Sequence, residues 1–183
     1  MSEAPVPLSG TTLLAGPSQT GKTRRTAQTL DAWLDRHGSE DVVVFEFAPE
    51  VERDGRLLGG RLDQFTTVPD DVWHGVLDAH APRTDASTEA EAIALARDNA
   101  ERAGTILDAA PKPEALFVND ATIPFQHERG EVSALLDHVA DATCAVLNAF
   151  ESDELGTENP VSRRERAVLK TLRDQVDRTI DLA

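Results

Sequence analysis

The chain has 183 residues, which is enough for one domain with a sizeable core. Thirty-three acidic residues face eighteen basic ones, and the resulting net charge of −15 excludes a protein built to coat nucleic acid or an anionic membrane. The N-terminal MSEAPVPLSG has neither a basic n-region nor an apolar h-region, and no apolar run is long enough for a membrane span, so a cytoplasmic protein is expected.

Residues 1–10 read as a flexible leader. Residues 11–15 are a short apolar run closed by a turn signal, the first predicted strand. From Lys22 to Arg36 the residues Ala27, Leu30 and Leu34 recur at helical spacing, and Gly38 stands where a C-cap belongs. DVVVFEFA, residues 41–48, is β-branched and aromatic, a second strand. Residues 49–86 are rich in turn signals and read as an irregular insertion on the ligand side, with room for a short helix or hairpin. Thr88 and Glu91 form a capping box for a helix that runs to Ala110 with Ile93, Ala96, Ala100, Ala103 and Leu107 on one stripe. EALFVNDA, residues 114–121, is a third strand. A short helix over 131–140 carries Val132, Leu135, Leu136 and Val139. CAVLNAF, residues 144–150, is a fourth strand; its Cys144, the single cysteine, has no internal partner and points to a reducing compartment. Ser162 and Glu165 read as a second capping box, before a helix carrying Val168, Leu169, Leu172 and Val176, and TIDL at 179–182 closes as a fifth strand. Continuous apolar strands alternating with helices predict an α/β fold: three layers, α/β/α, around a mainly parallel five-stranded sheet, in one domain over 1–183. The fourth strand is expected between the first and third.

Between the first strand and first helix lies Gly16-Pro17-Ser18-Gln19-Thr20-Gly21-Lys22-Thr23, which fits G-x-x-x-x-G-K-[ST] at every fixed position. Each position has a physical task. Gly16 and Gly21 keep side chains clear and permit unusual dihedrals. Successive N–H groups can turn inward as an anion nest, and the helix adds the positive end of its dipole. Lys22 is placed to neutralise β- and γ-phosphates, and the Thr23 hydroxyl to reach Mg²⁺. Arg24 and Arg25 follow in a helix first turn, where a bound phosphate is the natural partner of a cation.

The motif resembles that of the P-loop NTPases, and the alternating layout resembles their RecA-like members. The resemblance implies a carboxylate that anchors the Mg²⁺ shell at the end of a buried strand. Ala115-Leu116-Phe117-Val118-Asn119-Asp120 offers Asp120, with Asn119 as a neighbouring polar contact. Hydrolysing members place a Glu directly after that Asp; here Ala121 follows, so a base is sought at Glu46, His127 or Glu128, or the protein transfers a group to an acceptor. Asn148 interrupts an apolar strand, either as a structural amide or, as the resemblance implies, as a sensor of the γ-phosphate. Arg163, Arg164 and Arg166 sit in a predicted helix first turn, where the macrodipole disfavours cations. Either they pair with Glu151, Asp153, Glu154 or Glu158, or Arg163 acts as an arginine finger. Trp73, His74, His80 and Arg83 are candidates for holding a second substrate.

The function expected is that of a Mg²⁺-dependent ATP-binding protein and ATPase. Its catalytic set is Lys22, Asp120, Asn148 and Arg163, its nucleotide cradle residues 16–24, and its metal ligands Thr23 and Asp120. Asn148-Ala149-Phe150-Glu151 lacks the guanine-reading N-K-x-D, which favours ATP over GTP. A group transferase is the alternative, as a small-molecule kinase or in the manner of the ATP:corrinoid adenosyltransferases. The chain is similar to that family over residues 11–150 in the order of loop, VVVFEFAPE strand, Ala-rich helix and LFVND strand. A nucleotide-switched regulator with a protein partner is a third reading. Three Lys against fifteen Arg, few aromatics and the acid excess suit a halophilic, salt-rich cytoplasm, where a screening length of about 3 Å relieves self-repulsion.

Overall fold

The computed structural model describes residues 5–53, 56–58 and 60–183. Its elements in chain order are β1 (Gly10–Gly16), α1 (Lys22–His37), β2 (Val42–Glu46), a hairpin of β3 (Val51–Arg53) and β4 (Arg56–Leu58), β5 (Trp73–Val76), α2 (Pro82–Asp85), α3 (Glu89–Ala109), β6 (Ala115–Asn119), α4 (Val132–Asp141), β7 (Cys144–Phe150), α5 (Pro160–Gln175) and β8 (Arg178–Asp181). Three-residue 3-10 turns lie at Leu62–Gln64 and Ile123–Phe125.

The main sheet has six strands in the order β5-β2-β6-β7-β1-β8, and every pairing in it is parallel. The expected place of the fourth predicted strand, between the first and third, is therefore correct, but five strands is one too few. The sixth is β5, inside the stretch read as irregular. Its four residues include Gly75 and exposed His74, so no periodicity marks them; what holds them is Trp73, whose ring meets Phe45 edge-on at 5.8 Å. The leader is likewise engaged by Val6, which is buried with Leu14, Leu30 and Trp33.

Alternation in the strands divides the core between two faces. Leu13, Val43, Phe45, Leu116, Val118, Ala145 and Leu147 meet α3, α4 and α5, while Leu14, Val42, Val44, Phe117 and Val146 meet α1. With both faces covered, consecutive residues must all be apolar, which is why the strands read as unbroken runs. Adjacent β1 and β7 send their chains to opposite faces, β1 to α1 and β7 to α5. This reversal opens a crevice at the C-terminal sheet edge, where the loop after β1 lies.

Local signals fix most helix ends. Thr88 Oγ1 accepts from Glu91 N at 3.1 Å, and Gly38, at φ 80°, donates to Leu34 O to close α1. The second expected capping box is corrected. Asn159 caps α5 by accepting from Ser162 N at 2.8 Å, and Pro160 takes the first helical position. The helix starts before Ser162, so Ser162 and Glu165 lie inside it and both are buried. No helix among the described residues is long and apolar enough to cross a membrane.

One buried polar side chain fixes the entry to α2. Asn99 of α3 accepts from His80 N and donates to His80 O, both at 2.9 Å. Asn99→Ala leaves two backbone groups of His80 without these partners and is expected to lower unfolding stability by about 2 kcal/mol, read from the urea midpoint at constant salt.

Candidate functional site

The loop after β1 is shaped by its glycines and by one carbonyl. A Cβ on Gly16 would collide with the Leu182 carbonyl, so close passage of the chain after β8 already requires glycine there. Gln19 and Gly21 have φ of 61° and 90°, and Gly21 is the N-cap of α1. Pro17 O gathers the loop inward: Thr20 Oγ1 donates to it at 2.9 Å, and Lys22 Nζ folds back to donate to it as well. Residues 18–24 line a cleft of about 840 Å³, which Gly16 and Pro17 do not line. Arg24 stands at its side with its guanidinium 5.1 Å from the centroid of the Phe65 ring.

Beneath the loop, two amides tie the strand ends together. Asn119 Oδ1 accepts from Thr23 Oγ1 at 3.2 Å and from Asn148 Nδ2 at 2.9 Å. Asn119 Nδ2 donates to Glu46 Oε1 at 2.7 Å and to Gly60 O at 2.9 Å. Asn148 Nδ2 also donates to Thr26 Oγ1 at 2.9 Å, and Asn148 Oδ1 accepts from Asp120 N at 2.8 Å. Every polar atom of the Asn148 amide is thus engaged within the protein. The amide holds Asp120 and Asn119 in place, and Asn148 also lines the cleft.

The residue bonded to Thr23 is Asn119, not Asp120. Asp120 follows at φ 61°, a conformation few residues adopt, with its N–H held by Asn148. Its Oδ1 is sealed from solvent without a hydrogen-bond partner among the described residues. Burial and then Glu165 push its pKa up, to about 7, against the pull of Lys22 and Arg83. Burial also lowers the pKa of Lys22, opposed by Asp120 and Glu154. Ala121 is buried in the core and its N–H bonds to Asn148 O, so it is no part of the cleft.

The alternative bases go elsewhere. Glu46 is buried, accepting from Leu62 N at 2.8 Å, Ala48 N at 3.2 Å and the Asn119 amide, and burial raises its pKa to about 7. It clamps the chain at residues 48 and 62. His127 and Glu128 do not line the cleft. Nor do Arg25, Arg163, Arg164, Arg166, Trp73, His74 or His80. Arg163 is exposed, Arg164 reaches Gly130 O at 3.4 Å, and Arg166 pairs with Asp153. His80 meets Asp98 at 2.8 Å.

Of the four second-substrate candidates only Arg83 reaches the cleft. It arrives with Glu165, which the sequence presents as a capping residue. Arg83 Nη1 lies 2.8 Å from Glu165 Oε1, and Glu165 Oε2 accepts from Thr122 Oγ1 at 3.1 Å and Gln126 Nε2 at 2.6 Å. The only sequence signal for the pair is a lone Arg after Pro82 and a Glu on the apolar side of α5. Two cations, Lys22 and Arg83, therefore line the cleft together with the Asp120 carboxyl, and oxygen donors such as those of Thr23 and Asp120 suit a hard cation. Against protein-family models and curated proteins, the chain matches none.

A carboxyl that titrates near 7 in the folded chain but near 4 when unfolded retains its proton only in the folded state between those values. Its contribution to stability is present at low pH and lost as pH rises toward 7. Asp120→Asn, which tolerates the positive φ, is expected to melt above the wild type at pH 8 without nucleotide. It should also show a shallower loss between pH 5 and 7; the slope persists in part because Glu46 acts with the same sign. Thermal unfolding across that range checks both.

Proposed function

We propose that this chain is a P-loop protein that binds ATP with Mg²⁺ and hydrolyses it. The observation that carries the reading is the position of the eight-residue motif. It joins an interior parallel strand to a helix N-terminus at the sheet's switch point, with Lys22 folded over the loop and Thr23 bonded to a neighbouring strand end. The triphosphate tail is held by main-chain amides of residues 18–23 and the α1 dipole. Lys22 exchanges the Pro17 carbonyl for phosphate oxygens.

Thr23 Oγ1 and Asp120 Oδ1 are the oxygens that would hold Mg²⁺, and the unpartnered state of Asp120 Oδ1 fits that task. The ion would supply positive charge against the phosphates. Asn119 keeps the Thr23 hydroxyl in place, and Asn148 fixes Asp120 through its backbone.

Group transfer is the second reading, favoured by the extent of the cleft. It continues past the loop to Pro49, Phe65, Pro82 and Ile123, walls suited to an acceptor with an apolar body.

Calorimetry with Mg²⁺ and ATP in molar KCl is expected to give saturable heat that Lys22→Ala abolishes; its absence from folded wild type overturns the reading. Phosphate release from Mg·ATP alone is expected to fall by about 100-fold in Asp120→Ala with ATP binding retained. Binding with no release by the wild type would move the assignment to group transfer.

A further inference from the structure

We propose that Arg83 is the residue by which the cleft distinguishes a nucleoside triphosphate from a diphosphate. The inference rests on the nucleotide-binding reading and names the part of the ligand that Arg83 reads. Its guanidinium is satisfied on one side only. Nη1 makes the contact to Glu165 and donates to Ser162 Oγ at 3.0 Å, whereas Nε is buried without a partner among the described residues. The side chain is 10% exposed and lines the cleft together with Lys22 and Asp120. A sealed N–H on a permanently charged group calls for an acceptor, and a phosphate oxygen is the acceptor that a planar guanidinium matches best.

The surroundings hold Arg83 ready rather than free. The Asn99 clamp on His80 fixes the start of α2, and the guanidinium carbon sits 5.6 Å from the centroid of the Phe150 ring, which supports its plane. Glu165, 6% exposed, keeps two further donors in Thr122 and Gln126, so its carboxylate stays bonded when Arg83 turns toward an anion. Lys22, Arg83 and Asp120 line the same cleft. Lys22 belongs to the loop that holds the chain of phosphates. Arg83 comes from α2, a separate element that lines the same cleft. A diphosphate leaves its Nε unanswered; a terminal phosphate answers it.

The test compares ADP with the non-hydrolysable analogue AMP-PNP on the full chain, with Mg²⁺, by calorimetry in molar KCl. The wild type is expected to bind the triphosphate analogue at least roughly tenfold more tightly. Arg83→Gln should bring the two affinities within about threefold while ADP affinity is unchanged, and Arg83→Lys should restore part of the difference. If Arg83→Gln leaves Glu165 uncompensated and the chain unfolded, Arg83→Gln/Glu165→Gln removes both charges and is expected to give the same collapse. Equal affinities in the wild type, or a preference that survives in the folded Gln variants, overturns the assignment and leaves nucleotide binding standing. Failure of the wild type to bind either nucleotide overturns both.

Discussion

The paired amides of Asn119 and Asn148 are the constraint on which the rest of the site depends. They stand on adjacent parallel strands at the same edge of the sheet, and between them they bond to α1, to β2 and to the turn after β6. A buried amide with all its partners present is rigid because each alternative orientation leaves a donor or acceptor unmade. Through Thr23 and Thr26 the pair sets the first turns of α1, and so the loop that precedes it. Through the Asp120 N–H it holds a backbone conformation that non-glycine residues rarely adopt. The cleft is shaped from below, by uncharged groups, before any charge is placed in it.

The charges are then distributed by burial more than by number. The surface carries most of the acid excess, and many of its arginines end in ordinary exposed pairs such as Arg173 with Glu151 and Asp181. Inside the cleft the balance is different. Asp120 is pushed toward neutrality, as is Glu46 buried outside the cleft, burial disfavours the charged form of Lys22, and Arg83 is paired with a buried carboxylate. Breaking such a buried pair by removing one partner is costly, whereas exposed pairs contribute little. The interior pair spans α2 and α5, so it also ties the segment after β2 to the last helix.

The sequence discloses the parts of this arrangement that are local. The apolar strands, the Thr88 cap and the place of the Gly16–Thr23 loop between strand and helix depend on neighbours within a few residues, and the fold bears them out. β5 is illegible because four residues with a central glycine carry no period, and its place is set by Phe45 across the sheet. The cap of α5 misleads because Ser162 and Glu165 match the spacing of a capping box, while Asn159-Pro160 just before them is the stronger start. Arg83 and Glu165 are 82 positions apart, and nothing in either neighbourhood announces the other. Which of Asn119 and Asp120 meets Thr23 is the finest of these points. One residue of register decides which side chain meets Thr23, and a run of apolar letters cannot fix where a strand stops.

Glu46 has a consequence for how this chain tolerates change. Its carboxylate accepts from Ala48 N and Leu62 N, so two points fourteen positions apart in the chain are fastened to a single side chain. A stretch whose two ends are anchored independently of its middle can vary in length at little thermodynamic cost, since closure entropy grows only with the logarithm of the number of residues. The span between those anchors can accordingly accept inserted residues at little thermodynamic cost while the floor of the cleft stays in place.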